Sequence, residues 1–233
     1  MIMKDYQYDY EWDANYCYPE SNVLINKLNI KDADALFIAE REITAFKIAK
    51  AKDEPIKGNF DLEHLQKINK FIFEDIYTWA GKLRVVNISK GNQFCLSNYL
   101  ETYATGIFNE LSKENYLINH SFDAIPQRLA YYLSEINVLH PFREGNGRTQ
   151  RLFIEYLANV AGVETDFSGV SDREMIVASA NSFVKDYNEI NSLFKKICTK
   201  MNDKTKENTI EFFFGKSSKQ YKSFHKRIAD LEK

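Results

Sequence analysis

Residues 140–151 read HPFREGNGRTQR and bring together an imidazole, a carboxylate, two glycines around an asparagine, and a pair of arginines. Gly145 and Gly147, on either side of Asn146, let the backbone turn tightly and let an anion approach the main chain. The run that follows, GRTQRLFIEYLANVAG, reads as a helix, so the glycines stand at its N-terminus. Free N–H groups and the helix dipole make that end a phosphate site. Arg148 and Arg151 are three apart and are expected to leave the helix on one face. Their forked guanidinium groups suit phosphate oxygens. Glu144 offers a hard oxygen ligand that could hold Mg²⁺ against the same phosphates. His140 precedes Pro141 and is expected in an extended segment, where a neutral imidazole could take a proton from an attacking hydroxyl.

Each feature alone has an ordinary explanation. A single histidine is commonly structural, Gly-Asn-Gly is commonly a turn, and two arginines on a helix commonly form a solvated stripe. No turn needs all of them together, whereas a site for a phosphorylated nucleotide does. The Walker A spacing and its lysine are absent.

Helices must position this segment. Over 32–52, Leu36, Ala39, Ile43 and Phe46 recur at steps of three and four, as do Leu65, Ile68, Ile72 and Ile76. Ser121 and Asp123 open another helix with Pro126 in its first turn, and its stripe is Phe122, Ile125, Leu129, Leu133 and Ile136. After the glycines, Leu152, Phe153, Tyr156, Leu157 and Val160 form a core face, so this helix is buried on one side with its tip in a cleft. One segment breaks the rhythm. LRVVNI (83–88), the turn cluster 89–92 and QFCL (93–96) read as a short β-hairpin. NDKTKEN, from residue 202, reads as a charged turn. It leads to Phe212, Phe213 and Phe214, expected to pack back on the chain, and then to a basic helix.

The 233 residues allow one or two domains, and a net charge of −2 gives no field that suggests nucleic acid or an anionic membrane. No run of eighteen apolar residues occurs, and the N-terminus lacks a basic stretch followed by an apolar one. Cys17, Cys95 and Cys198 are scattered and read as free thiols of a reducing compartment. The expected setting is the cytoplasm, with delivery into another cell left open. His64, His120 and His225 have no companions for metal binding or catalysis and read as structural.

The segment 140–151 matches the signature HPFx(D/E)GNGRxxR of Fic domains at every defined position, and the chain resembles that family beyond it. Residues 16–30, 40–51, 65–94 and 171–197 look like the family's opening segment, first long helix, helix with flap, and closing helices. The resemblance best covers 16–197. It implies an all-α Fic domain over 1–201, with a small hairpin flap beside the site and a C-terminal tail at 202–233. It also implies transfer of AMP from ATP to a Ser, Thr or Tyr hydroxyl of a target protein, with release of pyrophosphate. His140 is then the base and Glu144 holds Mg²⁺. Gly145, Asn146 and Gly147 cradle phosphate, and Arg148 and Arg151 neutralise the leaving phosphates. Ile88 and Phe94 clamp an extended target segment paired to the flap edge. From their positions, Phe142 is expected to anchor the loop, and Glu155, one turn beyond Arg151 on a similar face, to orient it. Two other readings stay open: a Fic-type transferase with another nucleotide donor, and a nucleotide-dependent binding module without turnover.

Self-inhibited relatives carry (S/T)xxxE(G/N), whose glutamate blocks the second motif arginine. Here only Ser97 has a glutamate four residues on, Glu101, and Thr102 follows it. The expectation is a toxin-like enzyme restrained by a separate antitoxin that supplies the glutamate. The alternative is a tail helix doing the same through Glu207, Glu211 or Glu232.

Overall fold

The computed structural model describes residues 15–231. Among them, nine α-helices, three short 3-10 turns and two small two-stranded sheets enclose one apolar core. The helices are α1 (Ala33–Asp53), α2 (Leu62–Phe73), α3 (Leu100–Lys113), α4 (Ile125–Leu139), α5 (Asn146–Ala161), α6 (Asp172–Phe183), α7 (Asn188–Ile197), α8 (Asp203–Phe214) and α9 (Lys219–Leu231).

α5 is the axis, packed by α2, α4 and α8. Its apolar residues Leu152, Phe153, Tyr156, Leu157 and Val160 are all buried, as the spacing predicts. It stops at Gly162, whose φ of 95° suits glycine, and an added Cβ there would press on Lys206. Lys206 donates to the carbonyls of Ala161 (2.7 Å) and Ile118 (2.8 Å), which caps the end of α5. α2 is capped by Asp61, and α6 begins with a Ser171/Glu174 capping box. Leu65, Ile68, Ile72 and Ile76 are wholly buried.

Several expectations need correction. The inner face of α1 is Leu36, Glu40, Thr44 and Ala51, while Phe46 is 71 % exposed. Polar partners on the α5 side hold that face inward, so burial does not follow the apolar stripe. α4 begins at Ile125, and Phe122 lies before it, exposed. The stretch 83–88 is not a strand: pairing is confined to β1 (Ser89–Lys90) and β2 (Asn92–Gln93) across Gly91. β3 (Val163–Thr165) pairs antiparallel with β4 (Cys198–Lys200), a contact too short to leave a sequence pattern.

The charged stretch after residue 202 is helical, because Asn202 accepts from Thr205 N–H (2.9 Å) and caps α8. Ile210 and Phe224 are buried, and the Phe213 and Phe214 rings lie 4.9 Å from Phe60 and Tyr116, respectively. Truncation after Met201 is therefore expected to destabilise the protein. Ile210 and Phe224 alone represent roughly 3–6 kcal/mol at about 1.5–3 kcal/mol per buried side chain. A thermal melt unchanged by the truncation would contradict this packing.

Candidate active site

The tip of α5 and the end of α4 face each other across the loop 140–145. His140 terminates α4 in the left-handed conformation (φ 44°, ψ 59°), its N–H bonded to the Ile136 carbonyl. It is thus a C-cap and not the extended residue expected before proline. The helix-capping bond outweighs the pre-proline preference there. Left-handed backbone is uncommon outside glycine and concentrates at functional sites.

The His140 ring is buried, and burial pulls its pKa down to about 3, with the Arg84 and Lys90 charges adding to the effect. It is neutral at physiological pH. Its Nδ1 lies 3.2 Å from the Asn137 carbonyl. A carbonyl only accepts, so Nδ1 carries the proton and Nε2 the lone pair.

The loop closes on Asn146. Its Oδ1 accepts from Phe142 N–H (2.9 Å) and its Nδ2 donates to the Phe142 carbonyl (2.7 Å). This corrects the expected role: the Asn146 side chain is spent on the loop, not turned to an anion. Phe142 is buried as the anchor. The two glycines also divide. Gly145 (φ 79°) abuts the Phe73 ring, which a Cβ would overlap, so its requirement comes from the fold. At Gly147 a Cβ would meet only Arg151 Nη1, at 3.4 Å, so the space over its backbone is open to a ligand.

The arginines part as well. Arg148 turns to α1, where Nη2 pairs with Glu40 (2.5 Å) and Nη1 donates to Thr44 Oγ1 (2.9 Å). Its guanidinium lies 4.7 Å above the Phe73 ring and 3.5 Å from Glu144. Glu40 also accepts from the Tyr77 hydroxyl. Arg151 instead lines a cavity of about 170 Å³ with His140, Gly147, Gln150, Lys90 and Phe94. Burial lowers its pKa, with Arg148 adding to the effect. Glu155 does not orient it, being paired with Lys52 (2.7 Å). A groove of about 540 Å³ between α6 and α7 is larger, but it holds neither the histidine nor either arginine of the 140–151 segment.

Glu144 accepts from Gly145 N–H (2.9 Å), and burial together with Glu40 raises its pKa. A cation would relieve that. Among the described residues no group of three or more His, Cys, Asp or Glu could hold a metal. One carboxylate fits Mg²⁺ when substrate phosphates supply the other ligands.

Ile88 is 1 % and Phe94 6 % exposed, which corrects their expected place as outward clamps. The Phe94 ring stacks on His140, centroids 3.8 Å apart and planes at 16°. Four residues escaped the sequence reading: Glu40, Thr44, Asn69 and Arg84. Asn69 Nδ2 bonds the Glu144 carbonyl (3.2 Å) and Thr149 (3.1 Å). Glu40 and Thr44 continue the step of four from Leu36, and that was their signal.

A buried neutral imidazole, a helix N-terminus without a side-chain cap and an arginine meet at one cavity of a helical domain. The sequence model of the Fic/DOC family matches residues 59–158. The chain is 40 % identical to the protein adenylyltransferase VbhT of Bartonella schoenbuchensis over 79 % of this chain and 39 % of that protein. It is 36 % identical to the "Probable protein adenylyltransferase Fic" of Salmonella typhimurium over 78 % of this chain and 90 % of that one. The chain thus spans well under half of the first relative and most of the second.

The fold is similar to that of the VirB-translocated effector BepC of Bartonella tribocorum, solved with AMPPNP. That likeness has a TM-score of 0.75 and 25 % identity, and covers 81 % of this chain and 98 % of that one. The N-terminal Fic domain of a VirB-translocated Bep effector from Bartonella quintana, solved with ADP, gives 0.78 and 27 %, over 81 % and 96 %. The chain belongs to the Fic/DOC family.

Proposed function

We propose that this protein transfers AMP from ATP to a Ser, Thr or Tyr hydroxyl of a target protein. The observation that carries the reading is the buried, neutral His140 with its Nδ1–H on Asn137, lining one cavity with Gly147 and Arg151. Relatives named protein adenylyltransferase support it.

The target oxygen loses its proton to His140 Nε2 and bonds to the α-phosphorus. The bond from that phosphorus to the bridging oxygen breaks, and pyrophosphate leaves with the electron pair. N–H groups at the α5 tip, beside Gly147, meet phosphate oxygens. Arg151 neutralises charge on the leaving phosphates. Arg148, committed to Glu40 and Thr44, holds its charge next to Glu144. Glu144 would hold Mg²⁺, which neutralises phosphate charge when bound. The hairpin is proposed to pair with the target through its main chain, its side chains Ile88 and Phe94 being turned inward.

Restraint is proposed to come from a separate antitoxin. No carboxylate of the described residues forms an ion pair with Arg151. Glu207 is engaged by Tyr221 and Lys204 and Glu211 by Lys216, while Glu232 lies outside the described residues. The work is proposed for the cytoplasm of this cell or of one that receives the protein. Among the described residues no helix is long and apolar enough to cross a membrane.

Incubation with a lysate, Mg²⁺ and ATP labelled at the α-phosphate is expected to leave covalent label on protein, and γ-labelled ATP none. Label arriving from the γ-position, or ATP bound without covalent label, overturns the reading. If ADP serves as well as ATP, Arg151 has no role at the γ-phosphate.

A further inference from the structure

Arg84 is among the largest fully buried side chains, 2 % exposed, and among the described residues no carboxylate pairs with it. Burial lowers its pKa to about 10, so it stays charged at neutral pH. A buried cation without a counter-ion is costly, and an apolar side chain of similar size would avoid that cost. What the guanidinium does is specific. Nε donates to the His140 carbonyl (2.8 Å), Nη1 to Val86 (2.6 Å) and Nη2 to Cys95, while the Arg84 N–H donates to Pro141 (2.9 Å).

These acceptors are the catalytic turn and both ends of the hairpin. Cys95 N–H continues the connection to the Val138 carbonyl (2.9 Å). Its neighbour Phe94 lies flat on the imidazole and edge-on to Phe183, centroids 6.0 Å apart. The planar fork spreads its donors over three nitrogens, each bonded here to a different carbonyl, whereas an ammonium offers its donors from a single atom.

We propose that Arg84 is a positioning residue: it holds His140 in its left-handed turn and seats Phe94 on the ring, so that Nδ1–H stays on Asn137 and Nε2 serves as the base. A left-handed non-glycine residue persists only where the surrounding structure enforces it, and Arg84 enforces it through the His140 carbonyl. Among the described residues, the charges that act on the His140 ring are Arg84 and Lys90 on the hairpin; Arg151 of α5 lines the same cavity, and Glu144 acts on Lys90. Burial and the Arg84 and Lys90 cations favour the neutral ring, and the Asn137 contact of Nδ1 sets its tautomer.

This inference rests on His140 being the base, yet one test needs no turnover. Nitrogen NMR of the nucleotide-free protein is expected to show the wild-type imidazole neutral and Nδ1-protonated through mildly acidic pH. In Arg84→Gln the ring should titrate closer to the ordinary histidine range with a mixed tautomer. Turnover should fall roughly 10²-fold, the scale of a base misplaced by about 1 Å, with KM for ATP near wild type. Arg84→Lys keeps the charge but presents its donors from one atom and not from a spread fork. It should lose turnover and mix the tautomers while titrating below Arg84→Gln.

Folded variants with the wild-type tautomer and titration overturn the proposal. If neither folds, Phe94→Leu decides: an unmoved tautomer and acid limb overturn it, and a shift toward the Arg84→Gln behaviour upholds it. A wild type that labels no protein fails the adenylyltransferase reading but leaves the NMR result standing.

Discussion

Replacing His140 by alanine is expected to lower AMP transfer by on the order of 10²–10⁴-fold, the usual contribution of a general base, with ATP binding close to wild type. The groups proposed to bind phosphate, Gly147 and Arg151, belong to α5, while the imidazole sits on the end of α4. Labelling undiminished in the folded variant would sink the assignment. The pH dependence sharpens the test. Because burial pulls the free-enzyme pKa to about 3, kcat/KM should show no acid limb near the ordinary histidine value of about 6.5.

Stability runs the other way on the same groups. His140 and His64 are neutral when folded, with pKa values of about 3 and about 4, both from burial. The unfolded chain binds more protons below about 6.5, so stability is full above that pH and falls toward the folded values. His140→Ala should flatten part of that fall in melts taken at neutral and mildly acidic pH.

The site was legible where its chemistry is contiguous. His140, Glu144 and the glycine pair lie in one run, and their residue types alone point to phosphate and a base. The helices α2, α4 and α5 were legible because their apolar faces meet a dry core, so burial follows the 3.6-residue period. α1 was misread because its inner face meets the site. Glu40 and Thr44 are buried there as partners of Arg148, and an apolar count discards such residues. Asn146 was misassigned because an amide flanked by glycines looks like an anion ligand until the loop closes on it. Arg84 left no local signal, since its meaning lies in the three carbonyls that the fold brings to it.

Gly145 and Gly147 stand two residues apart, yet alanine at each is expected to fail for a different reason. At Gly145, left-handed backbone strain and overlap with the Phe73 ring act together. Each costs about 1–3 kcal/mol, so Gly145→Ala should lower the melting temperature by roughly 5–20 °C at about 2–4 °C per kcal/mol. Phe73 is itself buried in the core and cannot swing aside. Gly147 lies inside α5, and its added methyl would meet only the mobile end of Arg151. There alanine favours the helix by about 0.5–1 kcal/mol, so Gly147→Ala should melt no lower than wild type. It should still weaken ATP binding by about 10- to 100-fold, the equivalent of one hydrogen bond to a charged group at about 1.5–3 kcal/mol, because the methyl occupies the space through which an anion reaches the backbone. Calorimetric melts and ATP titrations on the two variants separate the cases. A Gly147→Ala protein that binds ATP like wild type would remove the phosphate from the tip of α5, and a Gly145→Ala protein that melts like wild type would remove the Phe73 contact that shapes the loop.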